Sequence, residues 1–399
     1  ENGLKITDML EFDQEGNLIG VIPLDDPRWD QLIEQIDLKE ALTAMELMGD
    51  DFEPIPSIGL PVVVSADSPI GMVYDQVAGY AAKWNESNSE EATYVSEDED
   101  YAAYSMALMP TEPVVAATFN KELIKREGEL MGEDSLWSNV SLIQAPGLNL
   151  HRTPYCSRNH EYYSEDPVLT GFMGTAFSAG AEAKGLIAQV KHFAFNHQES
   201  NRAGLSTFFS EQGGRENELR GFQIALKDNT ATSVMTAFNR IGTEFSGASK
   251  GLLEQILREE WDYEGFVYTD MVSSPDYMNW RDTIFNGGGC LLAQSIDVYE
   301  NSKLGSPSAS TKNIDIIEKD TKFQQAMQQT LKYYIHGLAD SNAVNGVLAN
   351  TKTVYVRTWW QNTLVGIDVG MGVLVLLSLA LYVKAIAARK RKVGEHNEE

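Results

Sequence analysis

The chain has 399 residues and is 43% hydrophobic, which is enough for one large domain or two ordinary domains with a buried core. Its formal net charge is -27, and an acidic surface repels phosphates, so a nucleic-acid partner is excluded. Cys156 and Cys290 are far apart and match no metal or redox spacing. We expect two buried thiols, with a disulfide as the alternative. The chain starts at Glu1 and no signal-like segment follows, which favours a processed product or a fragment.

Hydrophobic runs typical of buried strands recur along the chain, and amphipathic stretches separate them. The predicted strands are 61–67, 114–118, 140–147, 187–193, 233–239, 266–270 and 288–293. The predicted helices include 120–135, 168–185, 215–229 and 250–261. Strands that alternate with helices over this length predict parallel β/α units. Seven or eight strands then indicate the α/β class, as a (β/α)8 TIM-like barrel or a variant of it.

Two polar stretches interrupt this pattern. The first, 85–101, is acidic and is predicted to be a solvated loop; a calcium site is the alternative, although its acids do not follow the spacing of a calcium loop. The second, 305–312, is typical of a turn or linker. A helix is predicted over 313–339, and 340–354 leads to the last hydrophobic segment.

The last hydrophobic segment, 363–388, is long enough to cross a hydrocarbon core of roughly 30 Å at about 1.5 Å per residue. Trp359 and Trp360 precede it, as in an interfacial aromatic belt. The basic residues that follow are Lys384, Arg389, Lys390, Arg391 and Lys392. By the positive-inside rule we expect a single-pass helix in the cell membrane, with the main domain outside and the C-terminus in the cytoplasm. The alternative is a buried core helix.

These patterns divide the chain into five predicted parts. They are an N-terminal lead-in (1–24), the barrel (25–304), a helical segment and linker (305–358), the membrane helix (359–388) and a basic cytoplasmic tail (389–399).

Several predicted strands end in polar or reactive side chains. Asp67 and Asp270 end two of them, Lys191 and His192 lie in a third, and the stretch 146–167 is dense in Arg, His and acids. Singly, each can be a helix cap or an exposed strand end. Together they predict one barrel mouth that binds a polyhydroxylated ligand, because carboxylates and cations take hydroxyls in paired hydrogen bonds.

The same rim of side chains suits glycoside cleavage, which requires a carboxylate at the anomeric carbon and a proton donor. The two groups are about 5–5.5 Å apart if configuration is retained. His192 and His197 are five residues apart and would not share a helix face as metal ligands. We expect neither a metal nor another cofactor.

Four stretches resemble glycoside hydrolase family 3. They are 58–71, 146–171, 191–199 and 265–271, which are similar to the family's Asp-Gly-Pro-x-Gly, Ser-Glu-Asp-Pro, Lys-His-Phe and Gly-Phe-Val-x-Ser-Asp-Trp segments. Their order and spacing also agree with the family, and the resemblance covers roughly residues 25–300.

The resemblance implies a retaining, exo-acting β-glycosidase that cleaves β-linked oligosaccharides or glycosides at non-reducing ends, above all a β-glucosidase, with a β-xylosidase as the alternative. Asp270 would be the nucleophile. The residues that would hold the terminal sugar are Asp67, Arg158, Lys191 and His192, and those that would line or support the subsite are Arg152, Glu161, Met235 and Phe238.

The chain also departs from the family pattern. Ser68 stands where the family has Gly, and Met271 where it has Trp. The family's acid/base usually comes from a second, sandwich domain, which we expect upstream in a permuted member. Glu211 and Glu216 lie near the rim, but nothing specific marks either as the proton donor. The alternative is a catalytically silent carbohydrate-binding or scaffold protein.

Overall fold

The computed structural model describes residues 2–15, 17–46, 51–67, 69–72, 108–202, 204–272, 277–289, 314–344 and 359–395. Ser68, Cys290, the predicted acidic loop and the predicted linker lie outside these residues, as does most of the predicted strand 288–293. Cys156 is a buried free thiol.

Eleven strands are present in the described part of the chain. They are β1 (Leu10–Phe12), β2 (Leu18–Val21), β3 (Asp51–Phe52), β4 (Val63–Asp67), β5 (Leu142–Gln144), β6 (Ile187–Phe193), β7 (Ser206–Thr207), β8 (Ser233–Thr236), β9 (Arg240–Ile241), β10 (Glu244–Phe245) and β11 (Phe266–Tyr268).

The α-helices span Pro27–Ile33, Leu38–Glu46, Glu112–Ala116, Lys121–Ser138, Pro167–Glu182, Glu211–Gly213, Arg220–Leu226, Trp280–Phe285, Ile314–Ile317, Thr321–Ala339 and Trp359–Glu395. Two π-helical segments span Gly214–Glu218 and Gly251–Glu260. Short 3₁₀ turns span Ile6–Met9, Pro56–Ile58, Asn159–Glu161, Lys227–Asn229, Ser246–Ala248 and Asn342–Val344.

The main sheet has six strands in the order β11-β8-β6-β5-β4-β3. All neighbours pair in parallel except β3 and β4, which are antiparallel. The predicted α/β class with a parallel sheet is therefore confirmed. In the described residues this sheet is open, and no closed eight-stranded barrel is seen.

Helices connect the strands and pack against the sheet, because the apolar faces of the sheet and of the helices must be buried. All seven residues of β6 are buried, as expected of a central parallel strand. The helix Pro167–Glu182 precedes it, and the Asp166 side chain accepts hydrogen bonds from the amides of Val168 and Leu169 to start that helix.

Two apolar cores lie against the sheet. One contains Val190 and Val234 with Phe177 of the helix Pro167–Glu182. The other joins Phe266 to Tyr334 and also includes Ile6. Residues of the predicted lead-in and of the helix Thr321–Ala339 thus pack into the same core as the strands. The five-part division of the chain stays a prediction.

One predicted strand, 114–118, is wrong, because the helix Glu112–Ala116 occupies this position. Pro113 stands in the first turn of that helix, where its fixed φ favours helix and its missing N–H costs nothing. The helix buries Val115 and Ala116 and leaves Val114 exposed. The apolar run 114–118 is therefore not buried on both sides, as a central strand would be.

The C-terminal helix Trp359–Glu395 contains an apolar stretch, Thr363–Ile386, with a mean hydropathy of 2.3 and no buried part. Within the described residues it is the one helix long and apolar enough to cross a membrane, by length and composition only.

Candidate active site

The carboxyl-terminal edge of the parallel sheet gathers charged side chains from several strands. Asp67 is the last residue of β4, Lys191 and His192 lie near the end of β6, and Asp270 follows β11 by two residues. The Lys191 Nζ donates to Asp67 Oδ1 at 2.7 Å and lies 3.4 Å from Glu161 Oε2. Lys191 is almost fully buried, so its charge requires these carboxylates.

Arg158 and Glu161 form a second, bidentate ion pair on the loop after β5. The Arg158 Nε donates to Glu161 Oε1, and its Nη2 donates to Oε2 at 3.1 Å. Burial alone would raise the pKa of Glu161, but the Lys191 and Arg158 cations outweigh it and lower the pKa to about 2. Glu161 is therefore ionised and cannot serve as a proton donor near neutral pH.

Asp270 is 8% exposed, and its two oxygens differ in their surroundings. Oδ1 accepts the Met271 N–H at 2.7 Å. Oδ2 lies 3.5 Å from the His192 Nε2 and has no hydrogen-bond partner among the described residues. Burial raises the pKa of Asp270 to about 6, with Arg158 as the largest opposing influence. The site thus holds a carboxylate oxygen ready to receive a ligand atom.

The His192 ring is buried, and the His192 backbone is hydrogen-bonded to the side chain of Asn149. Its N–H donates to Asn149 Oδ1 at 2.8 Å, and the Asn149 Nδ2 donates to the His192 carbonyl at 3.0 Å. Burial, assisted by the positive charge of Arg158, lowers the pKa of His192 well below its usual value. The imidazole is therefore neutral at neutral pH.

Six of the predicted site residues form one contact network. Arg158, Glu161, Lys191 and Asp67 make one group of contacts, and His192 and Asp270 make a second. The two groups are connected by contacts of Glu199, Asn196 and Tyr162. This proximity does not test their assigned roles, which stay predictions.

The other candidates lie elsewhere. Arg152 is 56% exposed, and its Nε lies 3.4 Å from Glu218 Oε1. Met235 and Phe238 are buried in an apolar core. Glu211 is exposed and pairs with Arg215 at 3.1 Å.

Glu216 is also exposed, and both of its oxygens accept from the Gln212 Nε2 at 3.2 Å. Among the described residues, no group of three or more His, Cys, Asp or Glu side chains could hold a metal ion.

Sequence reasoning missed Tyr162 and Arg202. The Tyr162 hydroxyl lies 3.1 Å from the His192 Nδ1, and Arg202 pairs with Glu199 at 2.8 Å. The spacing of three residues between Glu199 and Arg202 was a usable signal for a local ion pair. Tyr162 follows Glu161 directly, but its partner is 30 residues away, and no periodicity predicts that contact.

Residues 100–282 match the description "Glycosyl hydrolase family 3 N terminal domain". This part of the chain, the family 3 domain, is similar to glycoside hydrolase family 3. The predicted resemblance to the family is confirmed, and three of the four stretches, 146–171, 191–199 and 265–271, lie within the matched residues. The family 3 domain includes every residue of the contact network except Asp67.

Two curated relatives to which the chain is similar are named as β-glucosidases. The chain is 31% identical over 257 residues to thermostable β-glucosidase B of Acetivibrio thermocellus, covering 62% of this chain and 32% of that protein. It is 40% identical over 162 residues to a β-glucosidase of Ruminococcus albus, covering 41% of this chain and 17% of that protein. The chain thus spans a third or less of the length of these relatives.

Among solved structures, the chain is similar to β-glucosidase 3B from Thermotoga neapolitana in complex with glucose. The TM-score is 0.68 at 29% identity, and the match covers 80% of this chain and 43% of that one.

Proposed function

We propose that the protein is a retaining, exo-acting β-glycosidase that hydrolyses β-glucosides at their non-reducing ends. One observation carries the proposal: in the described part of the chain, Asp270 has a buried carboxylate oxygen without a hydrogen-bond partner, close to a cluster of cationic side chains. The β-glucosidase names of the relatives and the glucose complex of the similar structure favour glucose as the sugar.

In the proposed mechanism, Asp270 Oδ2 attacks the anomeric carbon as the bond to the leaving oxygen breaks. The product of this step is a glycosyl ester on Asp270, and the leaving oxygen takes up a proton. A water molecule then gives a proton to the acid/base group and attacks the anomeric carbon from the opposite face, which breaks the bond to Asp270 and restores the carboxylate. Two inversions retain the configuration.

The contact network would bind the hydroxyls of the terminal sugar. Asp67 and Lys191 offer an acceptor and a donor in one ion pair, and Arg158 and His192 offer further donors. We leave Arg152 and Met235 out of this subsite because no described contact places them beside Asp270.

The proton donor lies, in this proposal, outside the described residues, for example on a second domain. Glu161 is excluded because its pKa is held at about 2. Glu211 and Glu216 are engaged at the surface by Arg215 and Gln212. Cleavage of a glycoside whose leaving group needs no protonation would therefore depend least on this proton donor.

We further propose that the sheet belongs to a TIM-like barrel and that the C-terminal helix anchors it in the cell membrane, with the family 3 domain outside and the C-terminus in the cytoplasm. The unburied apolar stretch Thr363–Ile386 supports the anchor, and the basic residues after it support the orientation.

A second candidate function is carbohydrate binding without turnover. One observation favours it: among the described carboxylates around Asp270, none is both unpaired and placed as a proton donor. Activated substrates separate the two functions, because an enzyme that lacks only the donor still forms the glycosyl ester.

The test is Asp270→Asn in the full chain, assayed with dinitrophenyl β-glucoside. We expect turnover to fall by at least about a thousandfold, since the nucleophile is lost. Asp262→Asn is the matched control, because it makes the same change at an exposed turn. A 2-deoxy-2-fluoroglucoside should label the peptide that contains Asp270. Labelling of another carboxylate, or full activity of Asp270→Asn, would refute the proposed nucleophile.

A further inference from the structure

A hydrogen-bond chain connects Asn196 to Asp270 through two buried rings. The Asn196 Nδ2 lies 3.3 Å from the Tyr162 hydroxyl, which lies 3.1 Å from the His192 Nδ1. The His192 Nε2 on the opposite side of the ring lies 3.5 Å from Asp270 Oδ2. Asn196, Tyr162 and His192 are each no more than 1% exposed. Solvent therefore does not set the direction of these hydrogen bonds.

Glu199 fixes the direction of the hydrogen bond between Asn196 and Tyr162. Its Oε1 lies 3.1 Å from the same Asn196 nitrogen that faces Tyr162. An ionised carboxylate only accepts hydrogen bonds, so the Asn196 atom between them must be the amide nitrogen, which only donates. The other oxygen of Glu199 pairs with the Arg202 guanidinium at 2.8 Å, which is the contact of a carboxylate acceptor. The Tyr162 oxygen therefore accepts from Asn196.

The direction then passes to His192. A phenol has a single proton, and with Asn196 donating to its oxygen, Tyr162 directs that proton at the His192 Nδ1. Burial raises the pKa of Tyr162 well above its usual value, so the proton stays on the phenol. The Nδ1 must accept, and the neutral imidazole therefore carries its own proton on Nε2, the nitrogen that faces Asp270.

We propose that Tyr162 is a positioning residue that holds His192 as the Nε2–H tautomer and so directs a neutral hydrogen-bond donor towards Asp270 Oδ2. This inference rests on the proposed function for its catalytic meaning, but the tautomer itself does not depend on turnover. With the other tautomer, an imidazole lone pair would face the carboxylate and repel it.

The remaining charges around this pair come from neighbouring loops. The cations that face His192 or Asp270 are Arg158, Lys191 and Arg202, and the anions that pair with them are Asp67, Glu161 and Glu199. Among the described residues, none of these charged side chains makes a hydrogen bond to a nitrogen of the His192 ring. Among the described residues, only Tyr162 makes such a bond to the ring.

The direct test is the tautomer of His192, read by long-range ¹H–¹⁵N correlation in the full chain labelled at histidine; the spectrum of His192→Gln assigns the signal. At about pH 5, below the pKa of Asp270, the carboxylate no longer favours Nε2–H by itself. We expect Nε2–H in the unmodified chain and a mixture of tautomers in Tyr162→Phe.

Asn196→Asp gives a sharper result because it should reverse the direction of the hydrogen bonds between residue 196, Tyr162 and His192. The introduced carboxyl oxygen would lie between Glu199 and Tyr162, and one proton shared with Glu199 leaves it only a lone pair to offer Tyr162. The phenol then donates to this oxygen and accepts from His192, so the tautomer should become Nδ1–H. Asn217→Asp makes the same change at an exposed position and should leave Nε2–H. A proton on Nδ1 in the unmodified chain, or the unmodified tautomer in both Tyr162→Phe and Asn196→Asp, overturns the proposal.

Kinetics test the consequence for Asp270. We expect Tyr162→Phe to lower kcat/KM roughly tenfold, the value of one hydrogen bond in a buried site, and to move the acid limb to higher pH. A merely structural role would lower the active fraction without moving the limb, and that result overturns the proposed link to Asp270. If the unmodified chain has the expected Nε2–H tautomer but shows no turnover, that result would count against the proposed function alone.

Discussion

The carboxyl group of Asp270 has surroundings that oppose its ionisation. Burial raises its pKa to about 6, although Arg158, Arg202 and Lys191 pull the pKa down. A nucleophile must be ionised to attack, so the buried position sets a lower pH limit on the proposed reaction.

We predict an acid limb near pH 6 in the pH profile of kcat/KM. Below that pH Asp270 takes up a proton and loses its nucleophilicity, so the rate should fall about tenfold per pH unit. Initial rates with an activated aryl β-glucoside measure this, and re-assay at pH 7 after incubation at low pH controls for unfolding. An acid limb near pH 4 would show that burial does not shift this carboxyl.

Glu161 has the opposite role, since it neutralises two buried cations. We predict that Glu161→Gln lowers the free energy of unfolding by about 3–5 kcal/mol, because Arg158 and Lys191 lose a shared carboxylate. Denaturant unfolding measures this change. Glu129→Gln is the control: it breaks an exposed pair with Arg126 and should cost less than about 1 kcal/mol. Equal losses would mean that the buried pair is no more important than a surface one.

The helices Lys121–Ser138 and Pro167–Glu182 approach so closely that glycine is required at their crossing. A Cβ on Gly128 would lie 2.2 Å from the Phe177 carbonyl oxygen, and one on Gly180 would lie 2.1 Å from the Lys125 carbonyl oxygen. Both neighbours are backbone atoms, which cannot move aside as a flexible side chain does.

We therefore predict that Gly128→Ala destabilises the fold by about 3 kcal/mol through overpacking. Gly251→Ala is the matched control, because its nearest neighbour is the Gln255 side chain at 3.8 Å, and alanine favours helix. The control should leave stability unchanged or raise it by roughly 0.5–1 kcal/mol. Thermal unfolding compares the two, and a neutral Gly128→Ala would show that the helices can separate at no cost.

The elements differed in how far the sequence determined them. The strand 187–193 was predicted with its observed bounds, since seven consecutive buried positions leave a continuous signal. The strand predicted over 266–270 is observed as Phe266–Tyr268, so Asp270 lies just beyond its end. The run 114–118 was wrong because five apolar residues fit a helical turn as well as a strand, and tertiary burial decided between them.

The site was predictable where a strand end fixes a side chain and unpredictable where loops meet. Asp67, Lys191 and Asp270 follow from parallel strands that end at one edge. Arg152 stands in the motif-bearing stretch, yet it turns away to Glu218. Tyr162 contacts a residue on another element, and only the folded loop brings the two together.

At the scale of the whole molecule, a strongly acidic chain contains one long apolar helix near its C-terminal end. The formal net charge of the chain is -27, whereas Thr363–Ile386 is apolar and no part of it is buried. An unburied apolar helix of this length requires a lipid or protein cover in water.

We predict that the full chain stays with membranes after an alkaline wash. The double variant Leu376→Arg with Leu377→Arg should move to the supernatant, because each arginine at the centre of a span costs roughly 3 kcal/mol. Leu376→Val with Leu377→Val is the control and should remain bound. Release of the unmodified chain by the wash would contradict the proposed anchor, whatever the activity of the family 3 domain.

Asp270 Oδ2, which has no hydrogen-bond partner among the residues described, has a pharmacological consequence. A sugar mimic with a protonated ring nitrogen would place a charged hydrogen-bond donor against this oxygen. Attraction requires both charges at once, so such a compound should bind most tightly between about pH 6, where Asp270 ionises, and the pKa of its own amine. Selective inhibitors of this protein should therefore be basic enough to stay charged across that interval.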